Sequence, residues 1–511
     1  MAGKNETLPE ERAKIGKLII SLREGRGLTQ RELARRLRTT QSAVARMERG
    51  QQNFSTAMLA KIGRVLGRSV ISLGGDYLNF RIEGGHKLSG TVTTNISKNS
   101  AVALLCASIM NRRRTILRGV PKVEDVHSVI KILKSIGAKI DWVNDSDVRI
   151  IPPLKLRPEK IDKAMALKTR STLLLIGALL SRLNDFSIPH AGGCKLGART
   201  VQPHLFALEK LGIGIKSTHD YYQVSAGSKR PAEIVLYESS DTATENAIMT
   251  ASAIGGVTVI KYASANYMVQ ELCNFLSLLG VGFEGLGTTT ITIHGTSRLA
   301  NDVEYFIGED PIETMLFLSI AAVTGSAIII KRCPIDFLEL ELLKLEKMGF
   351  RFKLSPRYKS RNGITNLADI RTFPSKLRAL DEKIYARPFP GLNIDNLPFF
   401  VPIAVQAAGT TLIHDWVYEN RAIYYLELAK LGARLRLADP HRVFVDGPAD
   451  LRAAEIVCPP ALRPAAIILI AMLAARGTSV LRNVYSINRG YENLCERLQK
   501  LGAKIQLVRD L

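Results

Sequence analysis

One nine-residue pattern returns six times along the chain: ILKSIGAKI (132–140), ALEKLGIGI (207–215), FLSLLGVGF (275–283), KLEKMGFRF (344–352), ELAKLGARL (427–435) and RLQKLGAKI (497–505). Each reads as the end of an amphipathic helix, a glycine and the start of a strand. The glycines, Gly137, Gly212, Gly280, Gly349, Gly432 and Gly502, lie 75, 68, 69, 83 and 70 residues apart. Glycine enters the left-handed conformation at little cost, which fixes where each helix stops. A second series keeps the same beat. Apolar helices lead into strands at ASIMNRRRTILRGVP, ALLSRLNDFSIPHA, TASAIGGVTVIKYAS, SIAAVTGSAIIIKRCP, VQAAGTTLIHDWV and AMLAARGTSVLRNV. Units of about 70 residues that mix helix and sheet imply structural duplication, with a period too long for the usual solenoids. Three units per globule predict two similar α/β domains.

The chain's 511 residues hold two to four domains of ordinary size. Its first residues, MAGKNETLPEERAK, contain no apolar signal-peptide core. The longest aliphatic run, AAIILIAMLAA at 465–475, is too short to span a bilayer and predicts a buried helix. Cys106, Cys194, Cys273, Cys333, Cys458 and Cys495 are scattered without a CxxC pair. That speaks against a disulfide framework or a zinc site and fits a reducing cytoplasm, with no membrane partner. The formal net charge is +23. Residues 1–75 carry 15 Lys/Arg against 6 Asp/Glu, and the remainder 55 against 41. The front segment is therefore disproportionately basic, as a DNA-binding module is, and the basic remainder suits phosphorylated substrates.

Within that segment, LTQRELARRLRTTQSAVARMERG (28–50) spells out two short helices and a turn. Thr29 is an N-cap and Glu32 completes a capping box. Leu33, Ala34 and Leu37 form one apolar face; Ala43, Val44 and Met47 form the next, and Gly50 ends the second helix. The stretch resembles the Cro/repressor-type helix-turn-helix domain. The resemblance implies that the second helix enters the major groove of duplex DNA. Gln41, Ser42 and Arg46 would then face bases, with Gln30 near backbone phosphate.

The six units, three per domain, resemble the enolpyruvyl transferase fold. This family moves the enolpyruvyl group of phosphoenolpyruvate to shikimate 3-phosphate or to UDP-N-acetylglucosamine. The expected architecture is a two-domain α/β fold of six βα repeats behind a small all-α helix-turn-helix domain. Its expected boundaries are 1–75 for the helix-turn-helix, 98–308 for one transferase domain, and 77–97 plus 309–511 for the other. The chain would cross near Lys98 and near Gly308–Asp310.

AGGCKLGART (191–200) sets a cysteine between paired glycines and the cations Lys195 and Arg199. A free thiol titrates near about 8.5 and nearby cations lower that value, so Cys194 suits a general acid. The loop resembles the one in transferases acting on UDP-N-acetylglucosamine, where a cysteine protonates the methylene of phosphoenolpyruvate. In NISKNSAVALL (95–105), Ser97 or Asn99 caps a helix and leaves Lys98 at its positive end, an anion site. The resemblance implies that Lys98 contacts phosphoenolpyruvate and Asn99 the sugar. It also implies that Arg170, Arg199 and Arg421 surround the phosphate and carboxylate. In GEDPIETMLF (308–317), Asp310, Pro311 and Glu313 read as a helix start. The resemblance places the base for the sugar hydroxyl at Asp310 and a further active-site aspartate at Asp395. RGYE (489–492) reads as mainly structural.

The match departs at the nucleotide pocket. RTVQPH puts Gln202 where the family has an aspartate. SDTAT (240–244) keeps Ser240 as a substrate contact but puts Asp241 and Thr242 where an apolar residue and a glycine are usual. Glu124 stands where a lysine is common. The implied acceptor is UDP-N-acetylglucosamine, with no cofactor and no metal. Another nucleotide or sugar is the alternative, as is a transcriptional regulator that senses a sugar nucleotide.

Overall fold

In the computed structural model, the described residues of the transferase-like region form six separate small sheets. The structure describes residues 15–16, 19–20, 22–24, 28–52, 54, 56–65, 78–192 and 200–509. The chain divides into two units, Met1–Tyr77 and Leu78–Leu511.

In the first unit, helices Gln30–Arg36, Gln41–Glu48 and Thr56–Val65 follow one another. The capping box forms: Thr29 Oγ1 accepts from Glu32 N at 3.2 Å, and Glu32 Oε2 accepts from Thr29 N at 2.7 Å. Thr40 caps the next helix by accepting from Ala43 N. Leu33, Ala34, Leu37, Ala43, Val44 and Met47 close on Ile19 and Ile62. The buried Glu48 is satisfied by Arg23 Nε at 2.6 Å and Gln30 Nε2 at 2.8 Å.

In the second unit, three sheets draw all their strands from residues 115–306. The other three draw theirs from Asn79–Gly84, Ser89–Thr93 and residues 327–508. The first strand, Asn79–Gly84, lies between Gly477–Arg482 and Lys504–Val508, antiparallel to both. The apolar helices of the repeats fill the core. Leu174–Leu180 packs on Lys98–Ala107 and on Asp241–Ser252, while Pro311–Thr324, Phe400–Gln406 and Leu462–Ala474 pack on one another. The long aliphatic run lies in the buried Leu462–Ala474 helix. Among the described residues no helix is long and apolar enough to cross a membrane. All six repeat glycines adopt positive φ, from 84° to 107°.

The two crossing segments run side by side: Asp310 N donates to Asn95 O at 2.8 Å, and Ser97 N to Gly308 O at 2.9 Å. Asp310 caps the Pro311–Thr324 helix as the sequence indicates, accepting from Ile312 N at 2.8 Å. Glu313 does not close a capping box. Its carboxylate is taken instead by Arg497 Nη1 and Nη2 at 2.5 and 3.0 Å and by Asn95 N at 2.6 Å. A bidentate guanidinium outcompetes the helix start.

The repeat glycines differ in what surrounds them. A Cβ on Gly212 would stand 2.3 Å from Ser228 O, whereas one on Gly502 would meet nothing within 4 Å. Gly502→Ala should cost only the left-handed strain, about 1–2 kcal/mol. Gly212→Ala should cost about 1–3 kcal/mol more, because backbone must move. Urea unfolding followed by the fluorescence of Trp142 and Trp416 checks the difference.

Candidate active site

The site begins where the two crossings meet. Ser97, rather than Asn99, caps the Lys98–Ala107 helix, accepting from Ser100 N at 3.2 Å. Lys98 thus opens the helix, and its Nζ donates to Asp125 Oδ2 at 2.7 Å. The other oxygen of Asp125 faces Arg489 Nε at 3.3 Å. Asn99 Nδ2 donates to Tyr267 Oη at 3.3 Å.

Arg170 starts a 3-10 turn and donates from Nη2 to Thr200 O at 3.0 Å. Gly192 N donates to Ala166 O at 3.1 Å. The chain therefore leaves at Gly192 and returns at Thr200 against one short turn, residues 166–170. Glycine is required at 192, since a Cβ there would stand 1.7 Å from Leu167 O. Cys194, Lys195 and Arg199 lie outside the described residues. The other five cysteines are unpaired thiols, and burial pushes them up, Cys458 to about 12.

A cluster of charges surrounds Asp395. Arg463 Nη2 donates to Asp395 Oδ2 at 3.0 Å, and Arg421 Nη1 lies 3.9 Å from Oδ1. Arg421 is 1% exposed and is held by Asp415 at 2.6 and 2.8 Å and by Ile394 O at 2.9 Å. Its guanidinium therefore faces Asp415 first and reaches the site through Asp395. Arg463, 8% exposed, also donates to Tyr491 Oη at 2.7 Å. Burial alone would raise Asp395, but Arg463 and Arg421 hold it below the ordinary carboxylate range. Asp310 behaves oppositely: burial outweighs Arg463, and with Glu313 nearby its carboxyl is pushed up to about 6.

On the nucleotide side, Ser240 precedes the Asp241–Ser252 helix and makes no side-chain cap. Asp241 accepts from Ser264 Oγ at 2.5 Å and Asn266 Nδ2 at 3.3 Å, while burial raises its pKa. Thr242 Oγ1 lies 3.3 Å from His204 Nε2. Gln202 is exposed, and Glu124 lies 3.8 Å from Lys168 Nζ. In the helix-turn-helix unit, Gln41, Ser42 and Arg46 are exposed on one helix, whereas the Gln30 amide is engaged by Glu48.

Arg463 and Tyr267 were missed by the sequence reading, and Arg489 was read as structural. Arg463 had a signal: it is the lone charge in the apolar LRPAAIILIAMLA helix. Tyr267 had none, because its partners Ser97 and Asn99 lie 170 and 168 residues away.

Residues 82–498 match the family model of EPSP synthase (3-phosphoshikimate 1-carboxyvinyltransferase). The chain belongs to this family of enolpyruvyl transferases. Residues 19–73 match a helix-turn-helix model. A UDP-N-acetylglucosamine 1-carboxyvinyltransferase of Bradyrhizobium diazoefficiens is 33% identical, over 84% of this chain and 98% of the relative. One from Treponema denticola is 35% identical, over 83% and 98%. Among solved structures, the enolpyruvyl transferase NikO from Streptomyces tendae superposes with a TM-score of 0.74 at 24% identity, covering 84% of this chain and 99% of that one. EPSP synthase from Acinetobacter baumannii gives 0.68 at 18%, over 84% and 100%. At those identities the structural matches establish the fold. The protein is an enolpyruvyl (1-carboxyvinyl) transferase preceded by a helix-turn-helix unit.

In this transferase Arg463 compensates the part-buried carboxylate of Asp395. Arg463→Met keeps an unbranched stem but leaves Asp395 with only the more distant Arg421, and should cost about 1–3 kcal/mol of stability. Urea titration of the variant against the parent protein measures it.

Proposed function

We propose that the transferase moves the enolpyruvyl group of phosphoenolpyruvate to a hydroxyl of UDP-N-acetylglucosamine, the acceptor in its relatives' names. The observation that carries this reading is the Asp395 cluster: an ionised carboxylate between two buried guanidiniums, within electrostatic reach of Lys98. Residues 98–308 and 77–97 plus 309–511 act as two lobes that close over the substrates and exclude water.

Lys98, Arg170 and Arg199 hold the phosphate and carboxylate, arginine by its bidentate geometry. The acceptor hydroxyl oxygen bonds to C2 of phosphoenolpyruvate and gives its proton to a carboxylate. Cys194 delivers a proton to the methylene carbon. Phosphate then leaves as the C2–O bond to phosphorus breaks, and the methyl carbon returns a proton to restore the double bond. Asp310 is the candidate base, since burial pushes its carboxyl up to about 6, close to operating pH. One of its oxygens accepts from Ile312 N in the helix cap, whereas Asp395 is held by Arg463. Arg421 acts through Asp395, and Asn99 and Ser240 contact the sugar nucleotide. The reduced, unpaired thiols suit a cytoplasmic setting.

Phosphate release should require both UDP-N-acetylglucosamine and the thiol, with Cys194→Ala slower by at least about 100-fold. A base works only when deprotonated, so the rate is lost as pH falls through its pKa. With Asp310 as base, the acid limb lies near pH 6. A limb below the ordinary carboxylate range would transfer the role to Asp395.

We also propose that the helix-turn-helix unit binds duplex DNA through Gln41, Ser42 and Arg46, which share one exposed helical face. Binding should weaken steeply with salt, and Arg46→Ala should lose about 1–3 kcal/mol of sequence discrimination. Fluorescence anisotropy with specific and scrambled duplexes, selected from a random pool, reads both.

A further inference from the structure

We propose that Tyr267 is an acceptor-binding residue, its phenolic hydrogen donated to the oxygen of the hydroxyl that attacks phosphoenolpyruvate. This rests on the acceptor subsite proposed above. Tyr267 opens the Tyr267–Ser277 helix. Its Oη accepts from Asn99 Nδ2 at 3.3 Å and from Ser97 Oγ at 3.4 Å, the two residues flanking Lys98. Asn99 can only donate through that nitrogen, and the Ser97 hydroxyl is oriented as the donor to the phenol. Both partners give hydrogens to the phenol, so the phenol's own hydrogen remains for a further oxygen.

The phenol keeps that hydrogen. Burial first, then the charge of Asp310, raise its pKa well above the ordinary tyrosine value. Asp395 and Arg463 also act on it electrostatically. The ring is fixed by an edge contact with Phe337, 5.8 Å between centroids, and Phe337 is backed by Phe389 at 5.2 Å. A rigid neutral donor beside the base suits the attacking oxygen. One lone pair of that oxygen accepts from Tyr267, the other forms the bond to C2, and its proton passes to the carboxylate. The donor also stabilises negative charge as that proton departs.

The preceding residue reinforces the assignment. Asn266 Oδ1 accepts from Asn393 Nδ2 at 3.4 Å, and Asn393 Oδ1 accepts from Asp395 N at 2.9 Å. Two consecutive residues thus reach two parts of the site, Tyr267 to Asn99 and Asn266 to the loop of Asp395. Asn266 is a positioning residue in this scheme, while Tyr267 touches the substrate.

The test is Tyr267→Phe, which deletes the hydroxyl and keeps the ring on Phe337. With UDP-N-acetylglucosamine varied, kcat/KM should fall by about 10- to 100-fold. The KM for phosphoenolpyruvate should stay within about twofold, and the melting temperature should hold. Unchanged kinetics would overturn the proposal. Equal losses for both substrates with a lowered melting temperature would also overturn it, because that is the mark of a packing role. If the parent protein releases no phosphate with this acceptor, the acceptor subsite itself falls and the proposal with it. That outcome is distinct from a parent and variant that turn over equally.

Discussion

Arg421 and Arg463 carry full positive charges in places that water barely reaches. Taking a guanidinium out of water costs several kcal/mol, recovered only if carboxylates and hydrogen bonds meet it closely. Asp415, Asp395, Ile394 O and Tyr491 do so. The two arginines come from different repeats, and Asp395 lies between them. The cluster therefore fixes the carboxylate's position and also keeps it ionised. Asp310, near Arg463 but bonded to a helix start, remains far closer to neutral pH. Two aspartates around one guanidinium thus acquire different protonation behaviour from their surroundings alone.

Much of the scaffold could be read in the sequence because its signals are local. A glycine at a helix end states its conformation within a few residues, and all six adopt it. The capping box of Thr29 and Glu32, the caps at Ser97 and Asp310 and the buried aliphatic helix are equally short-range. The candidate site was legible only in part. Glu313 looks like a capping-box residue, yet Arg497, 184 residues away, takes its carboxylate. Arg421 reads as a cation for substrate, but Asp415 six residues earlier engages it first. Tyr267 carries no local mark at all. Side chains whose meaning depends on a partner in another repeat stay hidden until the repeats are packed.

The same separation of scales appears in the helix-turn-helix unit. Its apolar spacing is plain in the sequence, but the buried Glu48 is understood only through Arg23 and Gln30. Gln30 serves the unit's interior, whereas Gln41, Ser42 and Arg46 stay exposed. A stable small domain and a separate polar face are both built from fewer than 60 residues of helix and turn.

The placement of Asn79–Gly84 between two late strands bears on how the protein is made. Its partners, Gly477–Arg482 and Lys504–Val508, leave the ribosome about 400 residues later. At ordinary rates of synthesis that is a wait of roughly 20–90 s. During this interval the helix-turn-helix segment has already emerged, and the core described for it is drawn from its own residues. The nascent chain can therefore present a folded helix-turn-helix unit while the first strand of its catalytic body still has both edges open, a window for chaperones to occupy.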